Sequence, residues 1–558
     1  MNRLEAGLVV FLCAACSGGG GGGSGGAGGA GGGAGGGAGG GAGGGGGSGV
    51  TLAPFAFEFP RDSFSFENYV NQSASQGFTA VNLTEAELVR MFGKKVCGDP
   101  AAATCTLTPA AQKWRDATNN SMNNGHCEGM AVLSALFASG GANPQDFGAA
   151  TAQQLALPNN AALQREIAFW WALQGTEPTI SSERPGQRTP NEVLADLEAG
   201  LDAGQAFTFG LAKRDKTGGH ANTPYRIEPG MNGVVRVLLY ENNFPAAMKA
   251  VEFDTVNNKW RYEATPNPMT PAEVYDGDAT TKNISIIPLS ARVQPAVCPF
   301  CGEVANDGMT VRGGAAAYRE VQLSGGGDLK VTVTGTSQSI QRDGTGTWVN
   351  DITGASLAPN RAGPSTWAQE LDPVFRLPLS VPLTVELDGR RLTSAEQASV
   401  VLTAPGYTFA VENVELDPGQ VDTVTFSAGP SEVTYQTTRM ETPVVVLGLS
   451  LEGNDYLFQI AAGAEAGGVK VTLRNDVATG TLVVDVDAAD GTASYGIEVH
   501  RVGSSDVVFS HSANTIDTAA TVHLKYAAWA GQGSAMELNV DTDGDGTPDM
   551  MTMVPDDN

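Results

Sequence analysis

Basic residues are scarce in this chain of 558 residues: 33 Lys and Arg stand against 60 Asp and Glu, a formal charge of −27 at pH 7. Such a surface would be repelled by a phosphate backbone or an anionic bilayer, so nucleic acid is excluded as the main partner and calcium suits it better. A long apolar run is missing at the N-terminus, where Leu8-Val9-Val10-Phe11-Leu12 follows Arg3 and is too short to span a bilayer. Histidine is rarer still: of five, only His126 and His220 lie between Val50 and Pro295. Ligands for a structural zinc are also lacking, because Cys298-Pro299-Phe300-Cys301 has no second pair spaced to complete a site. With Pro295 before it and Gly302 after it, this pair does not sit between a strand and a helix start, so it reads as an interdomain disulfide staple rather than a redox centre.

What is present begins with a processing signal. The short apolar run reads as a secretory signal over residues 1–16, and Ala14-Ala15-Cys16 has the small-small-Cys ending of a bacterial lipoprotein signal. Export to the cell surface or outer membrane is the expectation, with membrane contact only through a lipid on Cys16. Residues 17–49 are nearly pure Gly with some Ala and Ser, a composition that buries nothing and behaves as a flexible tether spanning roughly 30 Å. In an oxidising compartment Cys97 with Cys105, and Cys298 with Cys301, are expected as disulfides. Cys127 is then the thiol left over, and an unpaired cysteine in an exported protein needs a reason.

A chain of this length, 41% hydrophobic, has room for about three cores. Between Val50 and Pro295 helix signals come first. Thr84-Glu85-Ala86-Glu87 is a capping box ahead of Leu88, and Thr108-Pro109 opens a helix through Trp114. Cys127 heads a third helix, with Met130, Leu133, Leu136 and Phe137 at helical spacing up to Gly140. Two more are expected over 160–174 and from Thr189-Pro190. After Gly204 the period becomes strand-like, with runs at Phe207–Leu211, His220–Ile227, Val234–Tyr240, Lys249–Phe253 and Lys259–Glu263. From about Gly302 the composition shifts to short Val/Thr/Leu runs between Gly and Asp turns, which predicts antiparallel sandwiches, here divided into 302–440 and 441–558.

The chemistry centres on Cys127. A thiol in the first turn of a helix feels the positive end of the helix dipole, which favours thiolate. A thiolate nucleophile also needs an imidazole to take and return its proton, and the imidazole needs an acceptor to fix its tautomer. His126 is adjacent in the chain and its side chain diverges from that of Cys127, so His220 is the candidate base. Glu241 and Asn242, at the end of the next strand, are both placed to be its acceptor.

Cysteine at a helix start in Gly125-His126-Cys127-Glu128-Gly129, then Gly219-His220-Ala221 on a strand, then Tyr240-Glu241-Asn242-Asn243-Phe244-Pro245, resembles the papain-like cysteine peptidase superfamily, including its transglutaminase-like and bacterial relatives. The resemblance covers roughly residues 110–265. It implies an α+β papain-like domain over 50–295, with Cys127 as nucleophile, His220 as general base and acid, and Glu241 or Asn242 as orienting group. Ser121 stands where such enzymes carry an oxyanion-binding Gln, so Asn120, Asn123 or Asn124 is the expected substitute, with Asn124 the nearest of the three to Cys127.

A second constellation closes the chain. In Asp541-Thr542-Asp543-Gly544-Asp545-Gly546-Thr547-Pro548-Asp549, oxygen ligands alternate around a glycine turn, the pattern of a calcium loop. Thr552 replaces the usual closing Glu, so the loop resembles dockerin-like or thrombospondin type 3 segments rather than an EF-hand. The expected protein is thus multidomain: an α+β papain-like cysteine protease domain, then all-β sandwich domains, with a structural calcium ion at Asp541, Asp543, Asp545, Thr547 and Asp549. Its expected activity is thioester-mediated hydrolysis of a protein or peptide amide. The alternatives are a transglutaminase-like acyl transferase and a non-catalytic, calcium-binding surface adhesion protein.

Overall fold

The computed structural model describes residues 50–558 except 73–75, 215–218, 265–272, 359, 362–371, 465–466, 489–490 and 518–519. The expected signal segment, Cys16 and the Gly-rich stretch over 17–49 lie outside the described residues. The first half of the described chain begins with helices. These are α1 (Glu85–Phe92), α2 (Pro109–Ser121), α3 (Cys127–Ala138), α4 (Ala161–Ala172), α5 (Thr179–Glu183) and α6 (Pro190–Asp202). Local signals set their starts: Thr84 with Glu87, and Thr189 with Glu192, form complete capping boxes, and Thr108 caps α2 ahead of Pro109. The second helix runs a full two turns past Trp114, the end expected from sequence.

Seven antiparallel strands follow: β1 (Phe207–Ala212), β2 (Gly219–Pro229), β3 (Val234–Tyr240), β4 (Lys249–Asp254), β5 (Lys259–Ala264), β6 (Glu273–Asp278) and β7 (Ile284–Pro288). They form one sheet in the order β6-β5-β4-β3-β2-β1-β7, and a short helix α7 (Leu289–Arg292) leaves its far edge. One face of the sheet is covered by α6, whose Val193, Leu194 and Leu197 pack on Phe207, Phe209, Leu239 and Phe253. Helix α3 is buried along its whole length, which explains why its apolar residues do not keep to one stripe. It packs so closely on α4 that a Cβ at Gly129 would stand 2.0 Å from the Ile167 carbonyl oxygen. Its other neighbour is the β1–β2 pair, to which Thr223 Oγ1 ties it by donating to the Ala131 carbonyl at 2.9 Å.

The remainder is a two-sheet sandwich. From edge to edge its nine-stranded sheet runs Ser356–Ala358, Val374–Pro378, Tyr318–Gly325, Glu396–Ala404, Tyr407–Leu416, Val444–Ser450, Asp455–Ala464, Thr492–Val502 and Asp506–Asp517. The facing eleven-stranded sheet runs Trp348–Asn350, Ser339–Arg342, Asp328–Val333, Leu383–Asp388, Val421–Phe426, Glu432–Gln436, Val469–Asp476, Thr481–Ala488, Thr521–Leu524, Met536–Asp541 and Met550–Val554. Alternate residues point inward, as with Leu329, Val331 and Val333, and the two inner faces share one core from Val304 to Val554.

The boundary expected at 441 falls inside this sandwich. Tyr407–Leu416 pairs with Val444–Ser450, and Glu432–Gln436 with Val469–Asp476, so both sheets cross it without a break. Glu441-Thr442-Pro443 lies in the connection that crosses from one sheet to the other, and a Pro-bearing connection looks the same in sequence whether or not a core ends there.

Both expected disulfides are present, Cys97–Cys105 and Cys298–Cys301, and Cys127 is the free cysteine among the described residues. The second lies where the chain enters the sandwich, and Phe300 between its cysteines packs against Phe92 and Trp114. The sandwich also carries α2 on the outer face of its nine-stranded sheet. Ala117 is buried there among Val401, Ala410, Val446 and Leu457, Trp114 Nε1 donates to Glu320 at 3.3 Å, and Lys113 pairs with Glu412 at 2.7 Å.

Candidate functional site

Helix α3 starts where it does because Gly125 turns the chain at φ 132°, after which the His126 amide donates to Asn68 Oδ1 at 2.7 Å. That turn fixes Cys127 in the first turn of α3, against Ala131 and Ala221. Packing on Ala221 sets the thiol beside the strand that carries His220. His220 is the second residue of β2, and its Nε2 lies 2.6 Å from Glu241 Oε1. Glu241 follows β3 directly and is itself held: its Oε1 accepts from the Asn243 amide at 2.9 Å, and its Oε2 accepts from the Tyr262 hydroxyl.

Glu241 and Asn242, undivided in the sequence reading, have different partners. Glu241 meets the imidazole, whereas Asn242 Nδ2 donates to the carbonyls of Ala221 at 2.8 Å and Cys127 at 3.1 Å. Asn242 therefore pins the start of α3 to β2. Asn124 ends the 3-10 turn Met122–Asn124 and lines a cavity shared with the sandwich, with Asn120, Asn123, Gly326 and Arg342. His126 is fully buried, stacked on Tyr69, with Nδ1 at 2.7 Å from the Tyr69 carbonyl and Nε2 at 2.9 Å from Asn82 Oδ1. Burial pushes its pKa down to about 4, only partly offset by the Tyr69 carbonyl, so it is neutral and belongs to the scaffold.

The sulfur is not a thiolate in this state. Burial pushes its pKa up, the carboxylates of Glu128 and Glu241 add to that, and the Ala221 amide and Arg361 act in the opposite direction without prevailing. Cys127, like His220, has no exposed surface at all, and that burial outweighs the helix dipole. Glu241, by contrast, stays ionised: burial alone would raise its pKa, and His220, the Tyr262 hydroxyl and the Asn243 amide together outweigh it.

Sequence reasoning missed four charged residues beside the thiol. Glu128 Oε1 pairs with Arg292 Nη2 and accepts from Thr208 Oγ1 at 3.4 Å, while Arg361 Nη1 lies 3.7 Å from Glu128 Oε2. Arg361 Nη2 pairs with Glu183, whose Oε1 also accepts from Ser285 Oγ at 2.7 Å. All four are buried, and Arg361 comes from the sandwich, between Ser356–Ala358 and Val374–Pro378. Glu128 alone carried a signal, being an acid in a helix otherwise apolar on every side, which must find a cation somewhere.

At the far end of the sandwich, Asp541, Asp543 and Asp549 bring carboxylate oxygens within 4.8 Å of one another. The Asp541 carboxylate also accepts from the amides of Gly544 and Gly546, both at 2.8 Å, which shapes the turn. Asp545 is not in that group; its carboxylate instead accepts from the Thr547 amide at 2.7 Å. No described helix is long and apolar enough to cross a membrane. Comparison of the chain with protein-family models, curated proteins and solved structures finds no match.

Proposed function

We propose that the protein is an exported, papain-like thiol hydrolase that cleaves an amide of a protein or peptide through a thioester at Cys127. One observation carries the reading: the free cysteine at a helix start packs on the residue next to a buried histidine whose Nε2 is held by a carboxylate at 2.6 Å. Nucleophile, base and orienting group thus stand in chain order on separate elements, as this chemistry needs. Glu241 is the orienting group in this reading and Asn242 a positioning residue.

With Nε2 bonded to Glu241, Nδ1 is the nitrogen assigned to the thiol. His220 takes the proton from Sγ as sulfur attacks the carbonyl carbon, then delivers it to the amine as the C–N bond breaks. Water, losing a proton to the same imidazole, attacks the thioester; the C–S bond breaks and the proton returns to sulfur. The backbone N–H of Cys127 is one of those a helix start leaves without an intrahelical acceptor, and it serves the developing oxyanion.

Export accords with the two disulfides. The grouped oxygens of Asp541, Asp543 and Asp549 suit a hard cation, and calcium there would bind the last strand turn together. The test of the hydrolase reading is acylation of Cys127 by an activated ester in a His220-dependent manner.

A further inference from the structure

A sandwich residue buried in the cysteine-bearing half asks what it occupies. Gly210 and Ala221 are paired across β1 and β2, as are Ala212 and Gly219, so Gly210, Gly219 and Ala221 share one face of that ladder. Cys127 packs on Ala221, and Arg361 fills the space the two glycines leave. A Cβ on Gly210 would stand 2.5 Å from Arg361 Nε, and one on Gly219 would stand 3.1 Å from Arg361 Cγ. The Arg361 backbone is clasped like an extended peptide: its N–H donates to Gln174 Oε1 at 2.8 Å and its carbonyl accepts from Gln174 Nε2 at 3.5 Å.

The charges around it balance only while it is there. Glu128 and Glu183 face Arg292 and Arg361; Arg292 is committed to Glu128, so without Arg361 the buried Glu183 carboxylate has lost its cation. An empty pocket of this kind is selective for a cationic side chain, because leaving a carboxylate buried and uncompensated is unfavourable. A planar guanidinium fits two carboxylates better than an ammonium does.

We propose that Glu183 and Glu128 line a pocket beside Cys127 that recognises an arginine side chain of the substrate, and that Arg361 occupies it in the resting protein as an internal substitute. This rests on the reading of Cys127 as the acylated thiol. It accounts for a nucleophile with no exposed surface, and it names the substrate class as arginine-bearing polypeptides. Burial is the largest cause of the raised Cys127 pKa, so vacating the pocket should activate the thiol despite the lost cation.

The experiment follows iodoacetamide labelling of Cys127 in the full chain. Arg361→Ala should raise the rate about tenfold or more, since reactivity scales with the fraction of molecules whose site is open. N-acetyl-arginine amide should then slow labelling again, while the neutral N-acetyl-citrulline amide does not, and neither should affect the wild type. Because the lone Glu183 carboxylate could prevent folding, Arg361→Ala with Glu183→Gln is measured beside it; that variant should label fast and ignore both amides. Equal effects of the two amides, or wild-type labelling rates in both variants, would overturn the proposal. Repeating the protection in a His220→Ala background separates the two readings. Arginine-selective protection of a thiol whose reactivity ignores His220 defeats the hydrolase and leaves the pocket, and the converse defeats the pocket alone.

Discussion

The two halves of the described chain bury charge differently, singly between the sheets of the sandwich and as a cluster around α3. Where the sheets of the sandwich face each other the interior is mostly apolar, with Arg319 and Asp422 buried singly and bonded to the Ser427 carbonyl and the Tyr435 hydroxyl, and the buried pair Glu320 and Arg376 lies on the outer face, under α2. Around α3, by contrast, Glu128, Glu183, His220, Glu241 and Arg292 are packed within the domain interior and completed by Arg361 from the other half. A purely stabilising interior has no need of this, because a buried ion pair rarely outperforms apolar residues of the same volume. The difference separates a scaffold from a site.

The largest expected effect tests that contrast directly. Arg292→Met should strand Glu128 and lower stability by about 3–5 kcal/mol, as breaking one side of a buried pair does. Arg390→Ala, which removes an exposed pair with Asp388 in the sandwich, should cost at most about 1 kcal/mol. Denaturant midpoints read both, and equal losses would erase the distinction.

Histidines sharpen it next, through opposite signs. His126 has its folded pKa depressed to about 4, so the stability it contributes is present above the unfolded value of about 6.5 and is lost as pH falls toward 4. The full loss is about 3 kcal/mol, and His126→Gln should flatten that acid limb of a stability-against-pH curve. At His500 in the sandwich, burial alone would lower the pKa, but Asp506 and Glu498 outweigh it and raise it to about 9. Its contribution is therefore complete below about 6.5 and lost as pH rises through 9, so His500→Gln should flatten the alkaline limb instead. The smallest effect is at the chain's end. Calcium at a hundredfold excess over its Kd should stabilise the sandwich by about 2.7 kcal/mol, and Asp541→Asn should abolish the shift in a thermal melt.

Sequence carried much of this, unevenly. Sandwich strands such as Leu383–Asp388 and Val421–Phe426 were legible because alternation is a local signal. Cys127, His220 and the Glu241-Asn242 pair, though not the choice between its two members, were legible because each lies at the start or end of an element whose period shows in the chain. Strands β6 and β7 were not foreseen, and the division at 441 was misplaced, because pairing partners are chosen by a core that no window of residues contains. Arg361 was out of reach entirely, since nothing in its own neighbourhood marks a residue whose carboxylate partner is 178 positions away.

The most direct measurement of the central claim is a burst assay with p-nitrophenyl acetate on the full chain, wild type and Arg361→Ala, with mass spectrometry of the trapped protein. Arg361→Ala should rapidly release close to one equivalent of p-nitrophenol, and the wild type more slowly, with the acetyl group on Cys127. His220→Ala should slow that acylation by about a hundredfold or more, the usual contribution of a positioned general base. No burst in either protein, or a Cys127 adduct that forms equally fast without His220, would contradict the account.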